Sequence, residues 1–232
     1  EIPLRLVGSE MCIRDRYCIV PLLFSFLYNN LVYVGCRLLA GGWPHHQLLF
    51  SWEEQIPLVP WTVAIYFGCY IFWVVNYILI GMQGREYCYR FCAGDVLSRT
   101  VCALCFLIYP TTIVRPEITG TGLWNELLRF LYSIDAADNL FPSIHCLVSW
   151  FCFVGIRGRK EIPRWYRIFS CVAALAVCVS VLTTKQHGAI DIAGGVVLAE
   201  LCFWIGMHTD LYRYHRRWLE PVSARIFGRE NG

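Results

Sequence analysis

Charged residues are scarce in this chain, and their scarcity is the first indication of its class. Asp, Glu, Lys and Arg make up 16% of the 232 residues, whereas a soluble domain carries about a quarter. Apolar residues reach 57%, and the mean hydropathy is positive. This composition argues against an ordinary soluble domain and indicates one integral membrane domain. The net charge of +3 gives no sign of a nucleic-acid partner.

The sequence also has few signs of metal sites or disulfides. None of the 13 cysteines has zinc-finger spacing with histidine partners, and no cluster of oxygen or sulfur ligands predicts a calcium or zinc site. We therefore expect no metal and no cofactor. Many of the cysteines lie inside apolar runs, where cysteine behaves as a small hydrophobic residue. These are Cys18, Cys36, Cys69, Cys102, Cys105, Cys152, Cys171, Cys178 and Cys202.

The first residues do not follow the order of a signal peptide, which places a basic region before an apolar one and then a cleavage site. They contain RLVGSEMCIRDR, which has no apolar period and resembles a translated sequencing adapter. We therefore expect residues 1–16 to be a non-native tail that takes no part in the fold.

Six apolar stretches follow. A bilayer core about 30 Å thick takes about 20 helical residues, and the shorter stretches can be completed by flanking polar residues that snorkel. The stretches cover residues 17–40, 57–80, 96–114, 142–156, 168–182 and 189–207. Between the third and fourth, LWNELLRFLYSI has helical spacing and predicts a short amphipathic helix. We expect an all-α domain with six spans over residues 17–212 and a basic cytoplasmic tail over residues 213–232.

The basic residues predict the orientation of these spans. RGRKEIPRWYR connects the fourth and fifth stretches, Arg85 and Arg90 lie between the second and third, and YRYHRRW follows the sixth. With six spans these three segments share one side, which the positive-inside rule makes cytoplasmic. Both termini are then cytoplasmic, and the other three connections face outward, with the plasma membrane as the expected location.

The outward connections carry the candidate catalytic and phosphate-binding residues. His187 and Asp191 are four apart, so they share a face on a helix. An aspartate that holds one ring nitrogen of a histidine leaves the other free to attack, and His145 can donate a proton. Arg115 offers a planar fork for a phosphate, and Lys185 offers a point charge. Taken singly, Arg115 and Lys185 are also compatible with a role as interface anchors.

Three sequence blocks strengthen this interpretation. RPE, FPSIH and KQHGAID, in this order, resemble the signature blocks of the type 2 phosphatidic acid phosphatase superfamily, Lys-x6-Arg-Pro, Pro-Ser-Gly-His and Ser-Arg-x5-His-x3-Asp. The resemblance covers residues 96–207. It implies that His187 is a nucleophile forming a phosphohistidine, that Asp191 orients it and that His145 is the general acid. It also implies that Arg115 and Ser143 bind phosphate, without a metal.

The sequence departs from the family pattern at three positions. The family lysine falls at Ile108 and the family arginine at Val181, so two phosphate-binding cations are missing. Ile144 stands where the family has glycine, and its backbone is expected to join Ser143 in holding a phosphate oxygen. Lys185 can replace one of the missing cations. These departures resemble the lipid phosphotransferase relatives more than the simplest phosphatases.

The function expected from the sequence is hydrolysis of a lipid phosphomonoester through a phosphohistidine, with the site on the extracytoplasmic face. One alternative keeps His187 as nucleophile and transfers the phosphoryl-containing group to an alcohol, which makes the protein a lipid head-group phosphotransferase. A second alternative is a non-catalytic membrane binding or transport protein that has kept the fold. The expected partners are the membrane and a phospholipid or lipid-phosphate substrate.

Overall fold

The computed structural model describes residues 16–227, and this part of the chain is almost entirely helical. Residues 1–15 of the predicted non-native tail lie outside the described residues. Numbered in chain order, the helices are α1 (Ile19–Ala40), α2 (Val63–Gly81), α3 (Arg85–Ile108), α4 (Leu123–Ile134), α5 (Ile144–Arg157), α6 (Arg164–Thr183), α7 (Ala189–His208) and α8 (Leu211–Phe227).

Five helices, namely α1, α2, α3, α6 and α7, are long and apolar enough to cross a membrane. Large apolar side chains on them point away from the protein, such as Leu38 on α1, which is 81% exposed, and Ile108 on α3, which is 78% exposed. Exposed apolar surface on this scale is unfavourable in water and favourable in lipid. The helices therefore indicate an integral membrane protein. The fourth predicted stretch, residues 142–156, forms α5, which has only 14 residues and is not among these five.

The predicted boundaries of the third apolar stretch are wrong. The stretch was placed at residues 96–114, but α3 begins at Arg85 and ends at Ile108. Its first half contains polar residues that are paired within the protein, which hydropathy does not register. Arg99 donates to Asp95 at 2.9 Å, and both side chains are almost fully buried. Arg90 donates to Glu86 and to the carbonyl of Met207, so the start of α3 is held against the end of α7.

Helices α3, α5 and α7 pack together, with α1 against α3 and α6 against α5. A close approach of backbones sets the α3–α7 crossing. A Cβ on Gly94 would lie 2.6 Å from the carbonyl oxygen of Cys202, and one on Gly206 would lie 2.6 Å from that of Arg90. Small residues allow this close contact between apolar helices. Beyond α7, the basic segment continues as α8, which packs on α3 and α1.

The three connections predicted to face outward meet at one end of the bundle. Strand β1 (His46–Gln47) after α1 pairs in parallel with β2 (Thr111–Thr112) after α3. Thr111 Oγ1 accepts hydrogen bonds from the N–H groups of Leu140 and Phe141, which precede α5. Lys185, after α6, donates to the carbonyl of Glu53 at 3.0 Å. At the opposite end, Arg159 contacts Gln83.

Candidate functional site

The segment that carries His187 is held by a well-formed helix end. Helix α6 ends in a Schellman motif, in which Gln186 N–H bonds to the Val181 carbonyl at 2.8 Å and Lys185 N–H to that of Leu182 at 3.2 Å. Lys185 takes the left-handed conformation at this motif, with φ 55°. Glycine is the usual residue there, because other residues are strained in it. The chain therefore keeps a lysine at a position whose backbone favours glycine.

The Asp191 side chain lies between His187, the candidate nucleophile, and the backbone N–H of Gly188 at the start of α7. Its Oδ2 accepts the N–H of Gly188 at 2.9 Å, which caps the helix and fixes the carboxylate. The same oxygen lies 3.5 Å from His187 Nδ1, within ion-pair distance, although the two atoms do not form a hydrogen bond. His187 is only 6% exposed. The carboxylate is thus placed beside one ring nitrogen, as the sequence spacing predicts.

His145 lies in the first turn of α5 among aromatic rings. Its ring centroid is 6.1 Å from that of His187, 4.4 Å from that of Tyr66 and 5.5 Å from that of Trp73. A proton donor works within about 2.6–3.2 Å of its acceptor, and reacting atoms approach to about 3–3.5 Å. The two rings are therefore near enough for both to contact one small group bound between them. The structure brings the two residues together from separate parts of the sequence.

A tyrosine from α2 determines which ring nitrogen of His145 carries the hydrogen in the neutral form. The Tyr66 hydroxyl donates to Asp135 Oδ2 at 2.6 Å and lies 3.4 Å from His145 Nδ1. Because that hydroxyl has one hydrogen, given to Asp135, Nδ1 must be the donor to Tyr66. Nε2 is then the nitrogen that gains and loses a proton, and it lies 3.3 Å from the hydroxyl of Tyr70.

Asp135 is a charged member of the site that the sequence motifs do not contain. Its carboxylate accepts hydrogen bonds from Tyr33 and Tyr66. Burial alone would raise the pKa of Asp135, but the nearby His145 and the two tyrosine hydroxyls outweigh it and hold that pKa below its ordinary value. The Tyr66 hydroxyl therefore lies between His145 and an ionised carboxylate, that of Asp135. The sequence signal for Tyr66 and Tyr70 is their i, i+4 spacing on an otherwise apolar helix.

Arg115 reaches the site indirectly. Its guanidinium donates to the carbonyls of Asp135 and Ala136 and to Oε1 of Gln186, and it lies over the Tyr132 ring. Gln186 is the neighbour of His187 in the sequence. Arg115 thus supports the segment that carries the nucleophile candidate, and no contact between Arg115 and His187 is found among the described residues.

Ser143 and Ile144 begin α5. Ser143 is the N-cap, its Oγ accepts the N–H of Cys146 at 3.4 Å, and its own N–H donates to the Asp191 carbonyl at 3.0 Å. The hydroxyl of Ser143 therefore shapes the turn from a fully buried position. The first N–H groups of a helix, here those of Ile144 and His145, have no acceptor within it and favour an anion.

Glu53 is an acidic residue of the site that sequence reasoning missed. It comes from the connection after α1, is 4% exposed, and accepts the N–H of Ala189 at 3.0 Å through Oε1. Its backbone carbonyl accepts from Lys185. A Cβ on Gly188 would lie 2.9 Å from Glu53 Oε2 and 3.1 Å from the backbone carbonyl oxygen of Leu48, so a larger residue there would have to displace the Glu53 side chain. Glu53 therefore holds both ends of the segment from Lys185 to Ala189 through hydrogen bonds.

Two cavities meet at His187. The first, which we call the aromatic cavity, has a volume of about 230 Å³ and is lined among others by Tyr33, Tyr70, Trp73, Asp135, His145 and His187. The second, which we call the lysine cavity, has a volume of about 310 Å³ and is lined by Leu49, Glu53, Glu54, Ile113, Val114, Pro116, Leu182, Lys185 and His187. His187 can therefore be reached from two sides.

Comparisons with known proteins add no family assignment. No protein-family model matches the chain, and no curated protein matches it. The interpretation of the site rests on its own residues and on their geometry.

Proposed function

We propose that this protein is a membrane-embedded phosphohydrolase that cleaves a lipid phosphomonoester through a phosphohistidine, as the resemblance to the type 2 phosphatidic acid phosphatases implies. The observation that carries the proposal is the convergence of His187, Asp191 and His145. The two imidazoles lie 6.1 Å apart, and a carboxylate lies 3.5 Å from His187 Nδ1. Both histidines line one cavity at the end of an apolar helix bundle.

The chemistry follows from the placement of each group. In the first step Nε2 of His187 attacks phosphorus, a P–N bond forms and the P–O bond to the alcohol breaks. The leaving oxygen takes its electron pair and a proton from Nε2 of protonated His145. In the second step water attacks phosphorus and gives a proton to His145, and the P–N electrons return to His187. Asp191 stabilises the positive charge on the His187 ring.

The cations that would balance phosphate charge are fewer than in the family pattern. Ile108 and Val181 are apolar, so neither position supplies a charge; Ile108 faces outward and Val181 is buried. Lys185 is a cation that lines a cavity together with His187. Its strained backbone conformation supports a functional role for the side chain, because glycine is the less strained choice there.

We infer six spans, with α5 joining the five long apolar helices. At 1.5 Å per residue α5 is about 21 Å long, so its flanking residues complete the crossing. The end that carries Arg157, Arg159 and Arg164 is then cytoplasmic by the positive-inside rule. The end that carries the two histidines faces the extracytoplasmic side, and the plasma membrane is the membrane we propose.

The test is turnover of a phosphorus-labelled diacylglycerol monophosphate by the purified full chain in detergent micelles. We expect wild type to release free phosphate and His187→Ala to release none above background. We expect His145→Ala to be slower by about 10²–10⁴-fold, the usual contribution of a general acid. His208→Ala is the matched control, because His208 lies at the far end of α7, and it should keep full activity.

The two cavities at His187 favour one alternative enough to include it in the same experiment. A phosphoryl donor on one side and an alcohol on the other would make the protein a lipid head-group phosphotransferase. Added alcohol acceptors would then yield a labelled new lipid instead of free phosphate. If wild type and His187→Ala behave alike with every substrate and acceptor, the protein is a binding or transport protein and the enzyme proposal is wrong.

A further inference from the structure

Charged groups are distributed unevenly around His187. His145 lines only the aromatic cavity, whereas Lys185 lines only the lysine cavity. A general acid lies beside the leaving group, because it must pass a proton to the departing oxygen. The leaving group of the proposed reaction therefore occupies the aromatic cavity.

The two cavities differ in their Lys and Arg residues, because the lysine cavity has Lys185 beside Glu53 and Glu54 whereas the aromatic cavity has aspartates alone. Asp135 and Asp138 line it, and none of its described lining residues is Lys or Arg. Two arginines contact lining residues without lining the cavity themselves: Arg37 forms an ion pair with Asp138 Oδ2 at 3.4 Å, and Arg115 contacts the side chain of Gln186. An anionic leaving group in this cavity would lie among residues that include two aspartates and neither of these arginines.

The cavity residues also have unused hydrogen-bonding atoms. Asn29 Oδ1 and Asp138 Oδ1 are buried acceptors without a partner, and Gln186 Nε2 is a buried donor without one. All three residues line the aromatic cavity, and Gln186 is 1% exposed. Unpaired buried polar atoms are costly and uncommon. A hydroxyl group both donates and accepts, so it can satisfy atoms of both kinds, whereas a fully ionised phosphate can only accept.

We propose that the aromatic cavity selects an uncharged, hydroxyl-bearing alcohol as the leaving group, so that the enzyme cleaves lipid monophosphates and discriminates against lipid diphosphates. This inference rests on the proposed function and specifies its substrate class. In a monophosphate the departing oxygen belongs to an alcohol and leaves neutral after it takes the proton of His145. In a diphosphate the P–O–P bond breaks instead, and a lipid phosphate anion would be left beside Asp135 and Asp138.

The experiment compares a diacylglycerol monophosphate with the diacylglycerol diphosphate of the same acyl chains, using the purified full chain. We expect kcat/KM to be at least about tenfold higher for the monophosphate, since like charges in contact are strongly unfavourable. Asp138→Asn removes one charge without changing shape and should narrow the ratio. Asn29→Asp adds one charge and should widen it. Glu126→Gln, on the exposed side of α4, is the matched control and should leave the ratio unchanged.

The outcomes separate this inference from the proposed function. If wild type cleaves both substrates equally well and His187→Ala cleaves neither, the leaving-group inference is overturned while the phosphohydrolase stands. A ratio that neither charge variant moves also overturns it. If neither substrate is turned over at all, the inference fails together with the proposed function. A preference for the monophosphate that Asp138→Asn weakens and Asn29→Asp strengthens supports it.

Discussion

Gly195→Ala is the substitution that best tests how the site is held together. Gly195 lies in the second turn of α7, where that helix crosses the beginning of α5. A Cβ at this position would lie 2.6 Å from the carbonyl oxygen of Ser143 and 3.2 Å from the amide nitrogen of Leu147. Both atoms belong to backbone, so they cannot move aside as the end of a flexible side chain can. The two helices must separate to admit the methyl group.

The size of the separation follows from the contact distance. Ordinary van der Waals contact begins at 3.4 Å, so the Ser143 carbonyl is too close by about 0.8 Å. This movement separates His145, on α5, from Asp191, on α7. A misplacement of about 1 Å can cost about 10²-fold in rate. Overpacking costs about 1–3 kcal/mol of stability, which the better helix propensity of alanine, about 1 kcal/mol, partly offsets.

We therefore expect Gly195→Ala to lose about 10²-fold in kcat/KM while its thermal unfolding in detergent falls by only a few degrees. Gly68→Ala is the matched control, because a Cβ on Gly68, in α2, meets nothing within 4 Å. It should unfold at the same or a higher temperature and keep its activity. A Gly195→Ala protein with wild-type rate and wild-type unfolding temperature would show that the α5–α7 contact does not position the site.

Three further substitutions probe separate parts of the molecule. Lys185→Gly should raise the unfolding temperature, because glycine relieves about 1–2 kcal/mol of strain at a positive φ. The same substitution should lower kcat/KM, because it removes the proposed phosphate-binding cation. Higher activity would contradict that role of Lys185. Arg99→Met should destabilise the fold by about 3–5 kcal/mol, since it leaves Asp95 charged and buried. The double variant with Asp95→Asn should recover most of that loss in denaturant unfolding. The pKa of Asp135 is lowered in the folded protein, so its carboxylate stabilises the fold above an ordinary pKa of about 3.9 and loses that effect as the pH falls further. Asp135→Asn should flatten this part of the stability–pH curve, and an unchanged acid limb would refute the assignment.

The apolar helices could be predicted because lipid exposure demands long apolar runs, which are visible in the sequence. The start of α3 could not be predicted from hydropathy. Four charged residues interrupt its first eleven positions, and only the folded protein shows that Arg90 and Asp95 find partners on other turns and helices. Hydropathy treats a paired charge and an unpaired charge alike, although their costs in an apolar environment differ.

The spacing of residues in the sequence predicted the part of the site that lies at the start of α7. The four-residue interval between His187 and Asp191 places them side by side in the structure. The environment of His145 depends instead on Tyr66 and Asp135, which lie 79 and 10 residues away along the chain. Such contacts depend on how helices pack, and no short motif encodes them. Glu53 was missed for the same reason, since it reaches α7 from the connection after α1.

The proposed site contains several buried polar atoms that have no hydrogen-bond partner within the described residues. Buried polar atoms without partners gather at this end of the bundle: Gln186 Nε2, His187 Nδ1, Asp191 Oδ1, Arg115 Nε and Glu53 Oε2. Each such atom costs about 1–3 kcal/mol if nothing satisfies it. A purely structural loop could use apolar residues here at lower cost, because the surrounding helices are apolar. These five atoms, one of which belongs to His187 itself, are groups that a polar ligand of the proposed site would satisfy. The same groups should make this end of the protein the least stable part of the bundle when it is empty.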